Sequence, residues 1–209
     1  MTRKSRKLKC ACVILSAVTL TMFLTGIKAN TTESAPTKQS SEESVSKLPE
    51  WDESGILEEK QKEYRQQALQ DELTQRQQEA QKWLADRHIE VPENIKAICK
   101  AKEEQYDISA TFLEALIYEE SRFHVDAANG PCRGLCQVNI RFYPHNWKDP
   151  EQNIDAACQV IMSIIENYGA EDLGEITSFY HGEGHGGYSH YTQDIDELSV
   201  KLMESEGVY

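Results

Sequence analysis

Hydrophobic positions divide the chain into segments of different character. From Cys10 to Ile27 they run with no charge until Lys28, and Arg3, Lys4, Arg6, Lys7 and Lys9 precede them. A basic flank before an apolar core marks a chain bound for export or a membrane. The run is long for a signal core and marginal for a span. Ile27 is larger than the residue preferred before cleavage after Ala29, so residues 1–29 read either as a signal peptide or as a membrane anchor with a cytoplasmic N-terminus. Cys10 and Cys12 stand at the start of the apolar run instead of following it, which excludes a lipoprotein cysteine. Residues 30–53 are rich in Ser, Thr, Glu and Lys, contain Pro36 and Pro49, and bury almost nothing, which predicts a disordered linker.

Residues 54–90 shift to Gln, Glu, Lys and Arg, with no Pro and no Gly after Gly55. Propensity predicts a long helix. Its apolar positions, Leu57, Tyr64, Ala68, Leu69, Leu73, Ala80, Trp83 and Leu84, are too sparse for a full heptad seam. The expectation is a polar helical stalk packing its Trp83 end on the domain, with coiled-coil self-association as a second use. The globular domain, 91–209, begins at Val91-Pro92. Ile95, Ile98, Cys99 and Lys102 share one face of a first helix. A helix starting at Ser109 gathers Phe112, Leu113, Leu116 and Ile117 within one arc, since successive side chains step about 100° around the axis. Asp149, Pro150 and Gln152 announce a capped third helix, whose stripe of Ile154, Ala157, Cys158, Ile161, Ile165 and Tyr168 ends at Gly169. Ile176–Tyr180 form a further buried turn or two, and 194–203 a last helix with Ile195, Leu198 and Leu202 inward. No alternating run is long enough for a sheet, so the class is mainly α.

Composition adds a charge asymmetry. Six of the 22 Lys and Arg residues lie in the first 29 positions, which hold no acid. The remaining 16 face all 35 Asp and Glu, a formal charge of 16 − 35 = −19. Phosphate binding is driven by basic patches, so nucleic acid is not the partner. Nor does such a body attract an anionic polymer at long range. Four cysteines fall in the exported part: Cys99, Cys132, Cys136 and Cys158. They permit two disulfides in three pairings, among them a Cys132–Cys136 bridge stiffening the Gly134 loop, or serve as small core residues.

Candidate chemistry centres on Glu120. It falls in the middle of the apolar arc begun by Phe112, whereas Glu119 lies about a quarter turn away on the margin. Burial and the negative end of the helix dipole both disfavour an ionised carboxylate there. Such a group holds its proton and can donate it. The plainer reading is a helix-end carboxylate tied to an arginine. His181, Glu183, His185 and His190 cluster within ten residues, but their spacing lacks the HExxH register that places two imidazoles on one helix face. No metal and no cofactor are expected.

The residues after Glu120 carry a family resemblance. Glu120-Ser121, a loop with Asn129, Gly130 and Pro131, then Gly134-Leu135-Cys136-Gln137, are followed by Asp149-Pro150 with Asn153-Ile154, and by Phe179-Tyr180-His181-Gly182 with Tyr191. This order, from about Ile95 to Val200, resembles the soluble lytic transglycosylase family, relatives of the goose-type lysozymes. The resemblance implies a lysozyme-like domain, with a small β-hairpin in the 131–139 region. It also implies a peptidoglycan lytic transglycosylase with Glu120 as single acid and base. Ser121, Gln137, Tyr180, His181 and Tyr191 would bind substrate, with Tyr180 on Glu120 or the acetamido group and Tyr191 on the cleft wall. Peptidoglycan glycan strands would be the partner, in an extracytoplasmic, envelope location. Cys136 replaces the usual methionine, His181 the usual asparagine, and Asn129 the common serine, and the loop before Gly134 is a residue short. Asp126, Glu183 or Glu119 as a second carboxylate would favour a water-using muramidase instead. A non-catalytic wall-binding component of a secretion, conjugation or phage machine is the third reading.

Overall fold

The structure is a computed structural model and describes residues 53–185 and 189–208. The expected signal or anchor (1–29) and nearly all of the expected linker (30–53) lie outside the described residues. No helix among the described residues is long and apolar enough to cross a membrane.

Among the described residues six helices and one small antiparallel sheet make a mainly α architecture: α1 (Glu53–Asp86), α2 (Glu93–Tyr106), α3 (Ala110–Ser121), β1 (Ala128–Asn129), β2 (Cys132–Arg133), β3 (Val138–Asn139), α4 (Pro150–Tyr168), α5 (Leu173–His181) and α6 (His190–Ser205). The chain divides into two compact units at the Arg65/Gln66 boundary within α1. The described part of the earlier unit shows exposed Leu57 and Tyr64 on an otherwise polar helix. In the later unit Ala80 and Leu84 are buried and Trp83 packs on the core. There Gln77 and Gln81 both donate to the Ser205 carbonyl at the end of α6.

The caps obey the sequence. Ser109 accepts from the Phe112 amide at the start of α3. Asp149 accepts from the Glu151 and Gln152 amides with Pro150 in the first turn of α4. Gln152 turns its side chain onto the Asp149 carboxylate rather than the Asp149 amide, and accepts from the Asn146 amide instead. Pro92 sits at the N-cap of α2, one residue before the first helical position. The α4 stripe drifts from its expected line. Ile154, Ala157, Cys158 and Ile161 are buried as expected, but Ile164 takes the inward place and Tyr168 is exposed, its ring stacked on Phe179 at 4.6 Å. The last helix begins four residues before the predicted start, capped by Ser189.

The core lies between α2, α3, α4 and α6. Helix α3 is buried nearly all round: Phe112, Leu113, Ala115, Leu116 and Ile117 are at most 1% exposed, and Glu114 only 2%. A single inward arc was the expectation; α3 instead runs through the middle, with α2 and α6 both packed on it. Each large apolar side chain so buried contributes about 1.5–3 kcal/mol. Cys99, Cys136 and Cys158 are part of this core and, with Cys132, are free thiols. No disulfide joins them; burial pushes the three core thiols up, Cys158 to about 12.

Glu114 is the misfit in this apolar surround. Its Oε2 is buried without a hydrogen-bond partner among the described residues. Burial above all, then Glu206, opposed by Lys96 and reinforced by Glu103 and Glu93, pushes its carboxyl up to about 7. A carboxyl with a raised folded-state pKa stabilises the fold fully below its ordinary value, 4.5, and this contribution is lost as pH rises through 7. Glu114→Gln is therefore expected to flatten the fall of Tm between pH 5 and pH 8, leaving the variant several degrees more stable than the parent at pH 8 relative to pH 5. Thermal melts followed by circular dichroism at the two pH values check this.

Candidate active site

Helix α3 stops abruptly after Glu120-Ser121. Arg122 at the C-cap has φ 51 and Phe123 has φ 62, two consecutive left-handed residues, neither of them glycine. Such a conformation costs about 1–2 kcal/mol per residue and needs local support. The Arg122 guanidinium forks onto Glu119 at 2.8 and 3.2 Å and lies 4.0 Å over the Tyr118 ring, while Tyr118 and Phe123 rings meet at 5.6 Å. The arginine partner foreseen for a helix-end glutamate thus belongs to Glu119. Among the described residues Glu120 is left without a cation in hydrogen-bond range.

What Glu120 has instead is a phenol. The Tyr191 hydroxyl, near the start of α6, donates to Glu120 Oε1. The net effect on Glu120 is a raised carboxyl: burial pushes it up, the Tyr191 hydrogen bond and the nearby His181 pull it down, and Glu119 pushes it up again. Its place in the last turn of α3 acts in the same upward direction through the helix dipole. Burial first, then the Glu120 charge, holds the Tyr191 phenol protonated. The opposite face of the arrangement is His181, the last residue of α5, whose imidazole stacks on the Tyr191 ring at 4.3 Å and 16°. Its Nδ1 lies 3.1 Å from Glu183 Oε1. A carboxylate, an imidazole, a phenol and a second carboxyl therefore form one connected series, Glu183–His181–Tyr191–Glu120.

The Gly134-Leu135-Cys136-Gln137 motif is the four-residue loop joining β2 to β3, whose register pairs Cys132 with Asn139 and Arg133 with Val138. The wider hairpin expected for 131–139 is here extended by β1, which pairs with β2 across Gly130-Pro131. Gly130, at φ 57, supplies the positive φ that such a two-residue turn needs. Asn153 of α4 holds the four-residue loop. Fully buried, its Oδ1 accepts from the Cys136 amide at 2.8 Å, and its Nδ2 donates to the Arg133 carbonyl at 3.0 Å and to His145 Nε2 at 2.8 Å. A Cβ on Gly134 would fall 2.6 Å from Asn153 Nδ2 and 2.7 Å from the Trp147 carbonyl, at φ 77. Only glycine lets the loop come this close.

Several expected contacts resolve differently. Tyr180 does not bond Glu120; its hydroxyl donates to the Cys136 carbonyl at 2.8 Å, and burial pushes its phenol well up. The phenol on Glu120 is Tyr191, because α5 aims Tyr180 at the loop while α6 brings Tyr191 to the end of α3. Gln137 spends its amide on the Gly134 carbonyl at 2.8 Å. Ser121 is buried and donates back to the Ile117 carbonyl, a satisfied helix serine. Asp126 is 82% exposed and 3.7 Å from Lys148, Glu119 is held by Arg122, and Glu183 alone of the three candidate second carboxylates joins the Glu120 series. His185 sets its ring edge-on to Phe179 at 4.6 Å. No three His, Cys, Asp or Glu side chains converge on a metal-sized centre among the described residues. Sequence reading missed Asn153 as the clamp and the Cys136 carbonyl as an acceptor; the one signal for the first was its place three residues into a well-capped helix. No protein family, curated protein or solved structure matches the chain.

Two outcomes test this geometry. Gly134→Ala is expected to cost about 2–4 kcal/mol in denaturant unfolding. Gly130→Ala, where no atom lies within 4 Å of the added methyl, costs only the conformational part, about 1–2 kcal/mol. Equal costs at the two positions would remove the close approach as the reason for Gly134. Tyr191→Phe takes away a hydrogen bond that stabilises the ionised carboxylate, so the Glu120 carboxyl titrates at higher pH than in the parent; carbon-detected NMR of labelled glutamate carboxyls reads the direction.

Proposed function

We propose that this chain is a peptidoglycan lytic transglycosylase with a lysozyme-like catalytic domain and Glu120 as its acid and base. The observation that carries the reading is a sheltered carboxyl with no cationic partner in hydrogen-bond range among the described residues, raised by burial at the end of α3 and held by a neutral phenol. A carboxyl raised in this way keeps its proton to higher pH than an ordinary glutamate, the direction general acid catalysis requires. The ordered resemblance from Glu120-Ser121 to Tyr191 supplies the substrate class.

Protonated Glu120 gives its proton to the glycosidic oxygen between N-acetylmuramic acid and N-acetylglucosamine, and that oxygen leaves with the bonding electrons. The acetamido carbonyl oxygen of the muramyl residue closes onto the anomeric carbon and carries the positive charge. Glu120, now ionised, takes the proton of the muramyl 6-hydroxyl, whose oxygen attacks the anomeric carbon and displaces the acetamido oxygen. The product is a 1,6-anhydro sugar, no water is consumed, and Glu120 ends protonated. Tyr191 hydrogen-bonds the carboxylate and so stabilises the half of the cycle in which Glu120 is charged. His181 backs the Tyr191 ring. Tyr180 and Gln137 act through the β2–β3 loop they brace, as positioning residues. The location that goes with this chemistry is the extracytoplasmic face of the envelope, with the apolar N-terminal segment as address or anchor, at a secretion or conjugation machine or free of one.

One observation favours a second reading. Glu183 is joined through His181 to Tyr191, and a second carboxylate in reach of substrate activates water in the common glycosidase arrangement. The chain would then be a muramidase.

Incubating purified peptidoglycan with the full chain, wild type beside Glu120→Gln, and recording product masses separates these readings. Anhydro ends from the wild type, with at least about 10²-fold loss in Glu120→Gln, are the expected result. Reducing ends select the muramidase, and equal release by both proteins, or none by either, leaves a wall-binding component and ends the enzyme claim.

A further inference from the structure

Apart from the Glu120 series, the later unit encloses a pocket of about 490 Å³ between α2, the turn after β3 and the first half of α4. Its size is that of small-ligand sites, about 300–1,000 Å³. None of its lining residues belongs to the Glu120 series. Lys102 is its most buried polar wall, 6% exposed. Its ammonium donates to Asp155 Oδ1 at 2.7 Å and to Gln105 Oε1 at 3.1 Å. An ammonium has three hydrogens, and among the described residues the third has only Glu151 Oε1 at 3.9 Å, beyond hydrogen-bond range. A buried donor left unspent is costly, and here it borders an open space.

The other walls supply a complementary set. The Glu151 carboxylate is 72% exposed. Gln159 spends its amide N–H on Asp155 Oδ2 at 2.8 Å, and its carbonyl oxygen has no partner among the described residues. Phe142 stands 78% exposed beside them, with Tyr143 next to it on the same wall. Asp155 is pushed up by burial but held below its ordinary value by hydrogen bonds from Lys102, Gln159 and Tyr106, so it is ionised and cancels the Lys102 charge. Glu151 then leaves the pocket with a formal charge of about −1.

An occupant must accept from Lys102, donate to Glu151 or the Gln159 carbonyl, and lay an apolar face on Phe142. A phosphate or other anion meets the extra negative charge, and a purely apolar ligand strands the Lys102 hydrogen. A hydroxyl group both donates and accepts, and a pyranose ring carries several hydroxyls around an apolar C–H face. We propose that this pocket is a saccharide-binding site, distinct from the Glu120 site, that takes a neutral sugar unit of a glycan strand. The choice of an N-acetylated sugar rests on the transglycosylase reading; the hydroxyl recognition does not. It would hold the polymer while another stretch of it is cut, a contact that an acidic protein cannot obtain from long-range attraction.

The test uses the full chain carrying Glu120→Gln, so that nothing is cleaved, titrated with an N-acetylglucosamine tetrasaccharide and followed by NMR. Shifts are expected at Lys102, Phe142 and Gln159, and Phe142→Ala and Gln159→Ala each weaken the affinity read at those signals about tenfold. Both side chains are exposed, so neither change disturbs the core. Absence of shifts at these residues overturns the proposal, whatever happens around Tyr191. So do shifts that both substitutions leave unchanged, or shifts produced by a wall stem peptide and not by the tetrasaccharide. Failure of the catalytic reading shows separately, as peptidoglycan left intact by the wild-type chain while the pocket shifts persist.

Discussion

The placement of the candidate site turns on one side chain amide. Asn153 has no exposed surface and satisfies an amide N–H, a carbonyl and an imidazole nitrogen at once. Each of these is worth about 1 kcal/mol made, and more if broken and left buried. Together they fasten the β2–β3 loop to the first turn of α4, which Asp149 and Pro150 hold in turn. The fastening works only because residue 134 has no side chain. Where the loop is held, the Cys136 carbonyl is held, and Tyr180 reaches it from α5. A short stretch of irregular backbone is thereby tied to the helices around it, which a free loop is not.

Helix α3 shows how position alone separates three carboxyls of the same type. Glu114, Glu119 and Glu120 share one helix. Glu119 has the guanidinium of Arg122, which the left-handed end of the helix brings back over it. Glu114 has the interior and one oxygen without a partner among the described residues. Glu120 has partial burial, a phenol and an imidazole beyond the phenol. The balance at Glu120 is a contest in which burial wins over the hydrogen bond, and that is the condition in which a carboxyl is useful as an acid. The cost of the two left-handed residues after it, about 1–2 kcal/mol each, falls at the end of the helix that carries Glu120.

Much of the fold was legible in the chain. The caps at Ser109 and Asp149, the terminator Gly169, the inward faces Ile95-Cys99-Lys102 and Ile195-Leu198-Leu202, and the mainly α class all rest on neighbours three or four residues apart, which backbone geometry makes local. The misreadings share another cause. One inward arc of α3 was enough to explain the apolar spacing, whereas two helices, α2 and α6, pack on it and bury Glu114 as well. For Cys99, Cys136 and Cys158 the sequence left disulfides and small core residues both open, and the structure has them as buried thiols.

At the candidate site the division follows the same line. Which residue types are present, and that Glu120 stands on an apolar arc at a helix end, were determined by the sequence, because a helical step of about 100° per residue leaves no freedom once the helix is granted. Which tyrosine meets that carboxyl, which glutamate takes the arginine and which carbonyl takes Tyr180 were decided only by the tertiary structure. Those pairings join positions as far apart as Glu120 and Tyr191, and they depend on how α3, α5, α6 and the loop held by Asn153 come to rest against one another, a relation among packed faces that no local spacing encodes.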